Sequence, residues 1–124
     1  MIARLLGELV SHQGNRGIID VAGVGYEVFA PGRCLTQWAS NPIALTAFIS
    51  TQVREDSITL YAFSSDTDRE AFSTLLSVSG VGPKVALACL NGLDVDTLDQ
   101  AIQSDDLVTL SGIPGVGKKT AQRL

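Results

Sequence analysis

An internal repeat in the second half of the sequence constrains the fold more than any other feature. Each copy contains an apolar segment, a Gly-Val-Gly triplet and a second segment that opens with a lysine. When the sequence is shifted by 35 residues, the matched pairs are Leu75 with Leu110, Gly80 with Gly115, Val81 with Val116, Gly82 with Gly117, Lys84 with Lys119, and Ala86 with Ala121. The repeat predicts two helix-hairpin-helix motifs, centred on Gly80-Val81-Gly82 and Gly115-Val116-Gly117.

The chemistry of these triplets indicates binding to a phosphate backbone. Glycine permits positive φ angles and a close approach, so that backbone N–H groups can face a phosphate. The helix that follows adds a partial positive charge at its N-terminus, and its lysine adds a full one. The middle valine is expected to point inward between the two helices. Such a site contacts phosphates and no base edges, which predicts DNA binding without sequence preference. The candidate DNA-binding residues are Gly80, Val81, Gly82, Lys84, Gly115, Val116, Gly117, Lys118, Lys119 and Arg123.

Other interpretations of the repeat are open. A single triplet would favour a plain tight turn, whereas two copies with a lysine at the same offset favour DNA binding. Residues 112–118 satisfy the P-loop pattern GxxxxGK, but Lys119 stands where a P-loop has Ser or Thr for magnesium. A nuclease or lyase would need clustered catalytic groups, and we identify none beyond Glu55 and Asp56, which alone make a weak metal site. A module that binds only protein is a further alternative. The sequence therefore predicts no catalytic residues, no cofactor and no metal site.

In the rest of the second half, outside the two triplets, the apolar residues have helical spacing. Thr67-Asp68-Arg69-Glu70 fits a capping box, and the residues expected to share one helix face after it are Ala71, Phe72, Leu75 and Leu76. A helix is expected at about 83–91, with Pro83 at its first position. Asp94 or Asp96 is expected to cap another helix, and a short helical turn is expected near 106–110.

The first half has the pattern of short strands broken by Gly, Pro and Asn. The predicted strands are Ile2–Val10, Arg16–Val21, Tyr26–Ala30, Ile43–Val53 and Ser57–Phe63. Gly23-Val24-Gly25 lies between two of them and is interpreted as a β-turn, although it resembles the later triplets. Five strands with no long helix between them predict a small OB-type barrel. The fold class is therefore α+β, with a barrel domain at 1–64, a tandem helix-hairpin-helix domain at 65–124 and a boundary near Ser64-Ser65.

Charge and composition bound the function. A net charge of −4 argues against nucleic-acid binding, since such domains are usually basic. However, the basic residues of the second half are focused, and those in or just after the two triplets are Lys84, Lys118, Lys119 and Arg123. Two isolated cysteines, Cys34 and Cys89, and a single histidine, His12, argue against a zinc site, and the cysteines are expected to be reduced. No apolar run approaches the ~20 residues of a membrane span, which predicts a cytoplasmic protein without membrane contact.

Six ordered segments over the whole sequence resemble the RuvA family of bacterial Holliday-junction-binding subunits. They are Met1–Leu5, Gly23–Val28, Val53–Asp56, Leu60–Phe63, Gly80–Lys84 and Pro114–Ala121. The resemblance implies an OB-fold domain, two helix-hairpin-helix motifs and a homotetramer, with one or two tetramers on a four-way junction. It also implies two partner proteins, the RuvB ATPase, which drives branch migration, and the RuvC resolvase. The family continues into a third domain that contacts RuvB, and this sequence ends at Leu124, before that domain.

The resemblance also gives a role to the polar turn at residues 54–57. By itself, an acidic hairpin tip is usually a solvated loop. In the family, Glu55 and Asp56 correspond to an acidic pin. Fourfold symmetry would bring the pins together at the junction centre, where they would repel phosphates and guide the strands apart. Arg54 is expected either to hold an adjacent phosphate or to pair with its acidic neighbours.

Overall fold

The computed structural model describes residues 1–113 and 116–124, and residues 118–120 by their backbone alone. Two compact units are present, Met1–Arg69 and Glu70–Leu124. The domain boundary expected near Ser64-Ser65 stays a prediction. Among the helices of the described residues, none has the length and apolar character needed to cross a membrane.

The first unit is a closed β-barrel. Its strands are β1 Arg4–Gln13, β2 Arg16–Val21, β3 Val24–Phe29, β4 Leu45–Val53 and β5 Ile58–Phe63. They close in the order β1-β2-β3-β5-β4, and β4 pairs back with β1. All neighbouring strands are antiparallel except β3 and β5, which pair in parallel at Phe29 and Tyr61. The predicted five-stranded OB-type barrel is thus confirmed, and β2 has the predicted bounds.

Alternation along the strands fills the barrel, because successive side chains of a strand point to opposite faces. In β1, Leu5 and Leu9 are buried while Leu6 and Val10 are exposed. The barrel unit has a hydrophobic core formed by Leu5, Leu9, Ile19, Val28, Ala30, Cys34, Leu35, Trp38, Leu45, Ala47, Ile49, Leu60 and Ala62. Burial of this apolar surface stabilises the closed sheet by roughly 25 cal/mol per Å² removed from water.

A helix that the strand pattern does not predict lies between β3 and β4. This helix, α1 Gly32–Ala39, follows Pro31 and buries Cys34, Leu35 and Trp38. These three residues have the i, i+1, i+4 spacing of one helix face, so they pack into the barrel core. The expectation that no long helix interrupts the strands overlooked this two-turn helix, because its apolar residues are few and its polar residues are interspersed.

The segment after β5 is held by polar contacts. Helix α2 Asp66–Leu76 begins one residue after Ser65, whose Oγ accepts a hydrogen bond from the Asp68 N–H at 3.2 Å. The predicted cap at Thr67 is therefore wrong: Thr67 lies inside the first turn, and Ser65 takes the capping position. Asp68 is buried and pairs with Arg33, at 3.0 Å between Oδ2 and Nη1. The ion pair fixes the first turn of α2 against α1.

The second unit is built of short helices. After the end of α2 come α3 Pro83–Gly92, α4 Val95–Gln103, α5 Leu107–Ser111 and α6 Lys118–Arg123. Asp94, rather than Asp96, caps α4, since its carboxylate accepts from the Thr97 N–H at 2.7 Å. The predicted helices after Gly82 and near 106–110 are confirmed. The buried apolar residues of this unit include Phe72, Leu75, Leu87, Cys89, Leu90, Leu98, Ala101, Leu110, Ile113 and Ala121.

Candidate nucleic-acid-binding hairpins

The first hairpin joins α2 to α3 through a tight turn. The Val78 N–H donates to the Leu75 carbonyl at 3.0 Å, and the Val81 N–H donates to the Val78 carbonyl at 3.1 Å. Gly82 is the N-cap of α3, and its carbonyl accepts from the Ala86 N–H at 3.0 Å. These bonds turn the chain within a few residues and start α3 immediately after the triplet.

The second hairpin, between α5 and α6, repeats these backbone bonds at matched positions. The Ile113 N–H donates to Leu110 at 3.3 Å, and the Val116 N–H donates to Ile113 at 3.0 Å. The Ala121 N–H donates to Gly117 at 2.9 Å, and Gly117 is the N-cap of α6. Even the cap angles agree, with φ −92° and ψ 179° at Gly82 and φ −86° and ψ 177° at Gly117. The sequence repeat is therefore also a repeat of structure.

The middle valines hold each hairpin from inside. Val81 is 6% exposed and Val116 is 4% exposed, so both point inward as predicted. Burying a valine side chain contributes roughly 1.5–3 kcal/mol. The neighbouring residues Gly80, Gly82 and Gly117 are exposed, so each triplet combines a buried apolar side chain with exposed glycine backbone.

The glycines of a triplet have different tasks. Gly80 has φ +84°, in the left-handed region that favours glycine. Gly82 and Gly117 have ordinary negative φ, so the expectation that the glycines supply positive φ is wrong for these two. At Gly82 and Gly117, a Cβ atom would meet nothing within 4 Å among the described residues. The absence of a side chain at these N-caps leaves open space in front of the turn rather than relieving backbone strain.

This open space lies at the start of a helix. The first N–H groups of a helix have no acceptor within it and carry the positive end of the helix dipole. At α3, Pro83 occupies the first position and has no N–H group, so the N–H groups of Lys84 and Val85 are the first in the helix that have no acceptor within it. Lys84 is exposed and adds a full positive charge. The arrangement can bind an anion such as a phosphate.

Part of the predicted site lies outside the described residues. Gly115 is one such position, and so are the side chains of Lys118 and Lys119. Their predicted contacts with DNA stay predictions.

The structure places Arg123 against the first hairpin. A Cβ atom at Gly80 would lie 2.5 Å from Nη1 of Arg123 and 3.8 Å from its Cζ. In the sequence, Arg123 follows the second triplet, which suggests that it belongs to the second hairpin and gives no indication that it lies near Gly80. No local sequence pattern predicts that Arg123 lies near Gly80, since the two residues belong to different copies of the repeat.

The acidic residues of the barrel unit lie at an exposed hairpin tip between β4 and β5. The Arg54 N–H donates to the Ser57 carbonyl at 2.8 Å and closes a four-residue loop that holds Glu55 and Asp56. All four loop residues are exposed. Below them, Val53 and Ile58 are paired across the strands, and they are 58% and 71% exposed. The hairpin therefore presents two carboxylates on an outward-facing tip.

Arg54 forms no ion pair with Glu55 or Asp56 in the structure as described. Its guanidinium instead acts on Tyr61: burial raises the pKa of the Tyr61 phenol, and the charge of Arg54 works in the opposite direction. Of the two alternatives for Arg54, the pairing with its acidic neighbours is thus absent from the described geometry. The predicted contact of Arg54 with a phosphate stays a prediction.

Nothing resembling a metal centre is found in the described part of the chain, where no three His, Cys, Asp or Glu side chains come together. Cys34 and Cys89 are buried and both are free thiols. Burial raises the pKa of the Cys89 thiol to about 11, which keeps it protonated and unreactive at neutral pH.

Comparison with known proteins matches both units. The family model described as RuvA N terminal domain matches residues 1–62, and the one described as SAM-like Helix-hairpin-helix tandem matches residues 72–124. A protein of Pseudomonas aeruginosa (strain LESB58), named Holliday junction branch migration complex subunit RuvA, is 48% identical over all 124 residues, which cover 62% of its length. Proteins with the same name from Chromobacterium violaceum and Symbiobacterium thermophilum are each 44% identical over the whole chain, which covers 63% and 60% of their lengths. The chain thus spans about three fifths of the length of these curated relatives.

Proposed function

This chain belongs to the RuvA family, and on that premise we propose that it binds four-way DNA junctions by their structure and not by their base sequence. The observation that carries the proposal is the pair of matched hairpins, each with a buried valine and an open glycine at a helix N-terminus. Backbone N–H groups there meet phosphates, which every DNA sequence presents alike. The DNA-binding residues are Gly80, Val81, Gly82, Lys84, Gly115, Val116, Gly117, Lys118, Lys119 and Arg123.

The two acidic residues at the barrel hairpin add selectivity for the junction. Glu55 and Asp56 repel phosphates, and they act as a pin that keeps the DNA backbone away from the junction centre. A continuous duplex gains nothing from this repulsion, whereas an open junction leaves room for the pin. Arg54, beside the pin, holds an adjacent phosphate. The support for this role is the exposure of all three side chains on one closed loop.

The curated relatives are named as subunits of a branch migration complex, and we extend that assembly to this chain. The chain has no catalytic site, forms a homotetramer, and places one or two tetramers on a junction. The RuvB ATPase then drives branch migration, and the RuvC resolvase acts on the same junction. The protein works in the cytoplasm, with its barrel domain at 1–64 and its helix-hairpin-helix domain at 65–124.

The test is a titration of synthetic four-way junctions with the purified chain. Junctions with unrelated arm sequences should bind with the same affinity, and a linear duplex of equal length should bind more weakly. Affinity should fall with salt, since binding to phosphates releases counterions. Replacing Lys118 or Lys119 by Gln should reduce the slope of log affinity against log salt by about 1 for each phosphate that is no longer neutralised.

Two results would count against the proposal. Affinity that depends strongly on arm sequence would indicate hydrogen bonds to bases, and an unchanged salt slope would remove the lysines from the phosphate site. ATP hydrolysis by the isolated chain with junction DNA would favour the P-loop alternative. The solution mass with and without a junction measures the number of subunits bound.

A further inference from the structure

The two hairpins have the same backbone but different local charge. The second triplet is followed by Lys118 and Lys119, whereas the first is followed by Pro83 and Lys84. The first hairpin therefore has one lysine where the second has two. Two phosphate sites with the same backbone geometry would bind unequally if no other cation contributed.

Arg123 supplies a cation at the first hairpin. Its Nη1 lies 2.5 Å, and its Cδ 4.0 Å, from the position that a Cβ atom at Gly80 would take. The guanidinium thus lies directly against the α-carbon of Gly80, and a side chain at position 80 would displace it. Arg123 is exposed, so its donors remain accessible from solvent.

We propose that Arg123 serves the first hairpin and not its own: it is the second cation of the phosphate site formed by Gly80, Gly82 and Lys84. This inference rests on the proposed function and assigns Arg123 within it. A guanidinium has several N–H donors in one plane, so it can donate hydrogen bonds to two oxygens of one phosphate. Gly80 then has two tasks, since its positive φ forms the turn and its missing side chain makes room for Arg123.

The arrangement also couples the two motifs. Helix α6 starts at the second hairpin and carries Arg123 in its last turn. A displacement of α6 would therefore remove a cation from the first hairpin.

The first test moves the charge by one residue without changing the net charge. In the variant Gln122→Arg/Arg123→Gln, the arginine stays on α6 but leaves its position against Gly80. Junction affinity should fall roughly tenfold, as it should for Arg123→Gln alone, because neither variant can form the charge-assisted hydrogen bond to phosphate. Wild-type affinity in the exchanged variant would overturn the inference, since any positive charge on α6 would then suffice.

The second test restores the cation from within the first motif. Pro83→Lys copies the lysine that the second motif has at Lys118. In the Arg123→Gln background it should restore most of the wild-type junction affinity and salt slope, and in the wild-type background it should add less than about twofold. Equal gains in both backgrounds would show that the lysine acts independently of Arg123 and would contradict the inference.

The wild-type titration separates the assignment of Arg123 from the proposed function. If the wild-type chain does not prefer a junction to a duplex, the proposed function fails. If it does, and the Arg123 variants bind as wild type, only the assignment of Arg123 fails. Thermal unfolding of each variant shows whether any fall in affinity comes from the fold.

Discussion

Gly23-Val24-Gly25 in the barrel and Gly80-Val81-Gly82 between two helices have the same three residues and different structures. In the barrel, the turn is made by Ala22 and Gly23, with φ of 50° and 92°, and Val24 already belongs to β3. Val24 is 55% exposed, whereas Val81 is 6% exposed. The middle valine of the triplet is thus a solvent-exposed strand residue in one unit and a buried residue that stabilises a turn in the other.

The flanking pattern decides the structure of the triplet. Alternating residues before and after Gly23 pair β2 with β3, so that Val21 lies opposite Val24. The residues on both sides of Gly80 instead have helical spacing, and Leu75, Val81 and Ala86 are all buried. Only the second context places a helix N-terminus after the triplet, which is the feature that we propose binds a phosphate.

The largest expected difference between the triplets is in stability. Val81→Ala should lower the free energy of unfolding by about 2 kcal/mol, because it removes buried methyl groups and leaves a cavity. Val24→Ala should change it by less than about 0.5 kcal/mol, since the side chain is mostly exposed. Chemical denaturation of both variants makes the measurement. Equal destabilisation would contradict the different roles assigned to the two valines.

Gly82→Ala should separate binding from folding. Its φ of −92° suits alanine, and a Cβ atom there meets no described neighbour, so the free energy of unfolding should change by less than about 0.5 kcal/mol. The methyl group would occupy the space in front of the turn, and junction affinity should fall about tenfold, or about 1.4 kcal/mol. Unchanged affinity would show that no phosphate approaches Gly82.

Gly23→Ala is the matched control and should behave in the opposite way. Its φ of +92° is unfavourable for alanine, so the variant should be less stable by roughly 1 kcal/mol. No helix N-terminus follows this turn, and junction affinity should stay within about twofold of wild type at temperatures where the variant is folded. A fall in binding as large as that of Gly82→Ala would bring the barrel turn into the DNA interface.

The smallest expected effect concerns acid. Hydrogen bonds from Thr109 lower the pKa of Asp106 below its ordinary value of 3.8, because they favour the charged carboxylate that caps α5. The stabilisation is present at neutral pH and disappears as the pH falls through the lowered pKa. Asp106→Asn should therefore be less stable than wild type at pH 7 and should show a smaller further decrease in acid. Thermal unfolding of both proteins at pH 7 and at acidic pH checks this. An equal loss of stability in acid for wild type and variant would contradict it.

Much of the fold follows from local patterns. The strands, the helix after Gly82 and the buried valines are predictable because each depends on residues close in sequence. Helix α1 is not, although Cys34, Leu35 and Trp38 have helical spacing, because eight residues give little periodic signal. The sequence also leaves Thr67 and Ser65 hard to tell apart as the cap of α2, since both are hydroxyl residues followed three positions later by an acid.

The candidate site is predictable in its parts and not in its assembly. The sequence repeat identifies both triplets. Their matched residues also form matched backbone hydrogen bonds, as at Gly82 and Gly117. The proximity of Arg123 to Gly80 depends on how the helices of the second unit pack, which no local pattern encodes. The separate tasks of Gly80 and Gly82 also need backbone angles, because both are simply glycine in the sequence.

We propose that the hairpins hold DNA while the acidic tip selects the junction. The most direct test compares the ratio of junction affinity to duplex affinity in wild type and in Glu55→Gln/Asp56→Asn. A control with the same change in net charge is Asp96→Asn/Asp99→Asn, at exposed positions on α4. We predict that the tip variant keeps or tightens DNA binding while its junction-to-duplex ratio falls, and that the control keeps the wild-type ratio. An unchanged ratio in the tip variant would contradict the account.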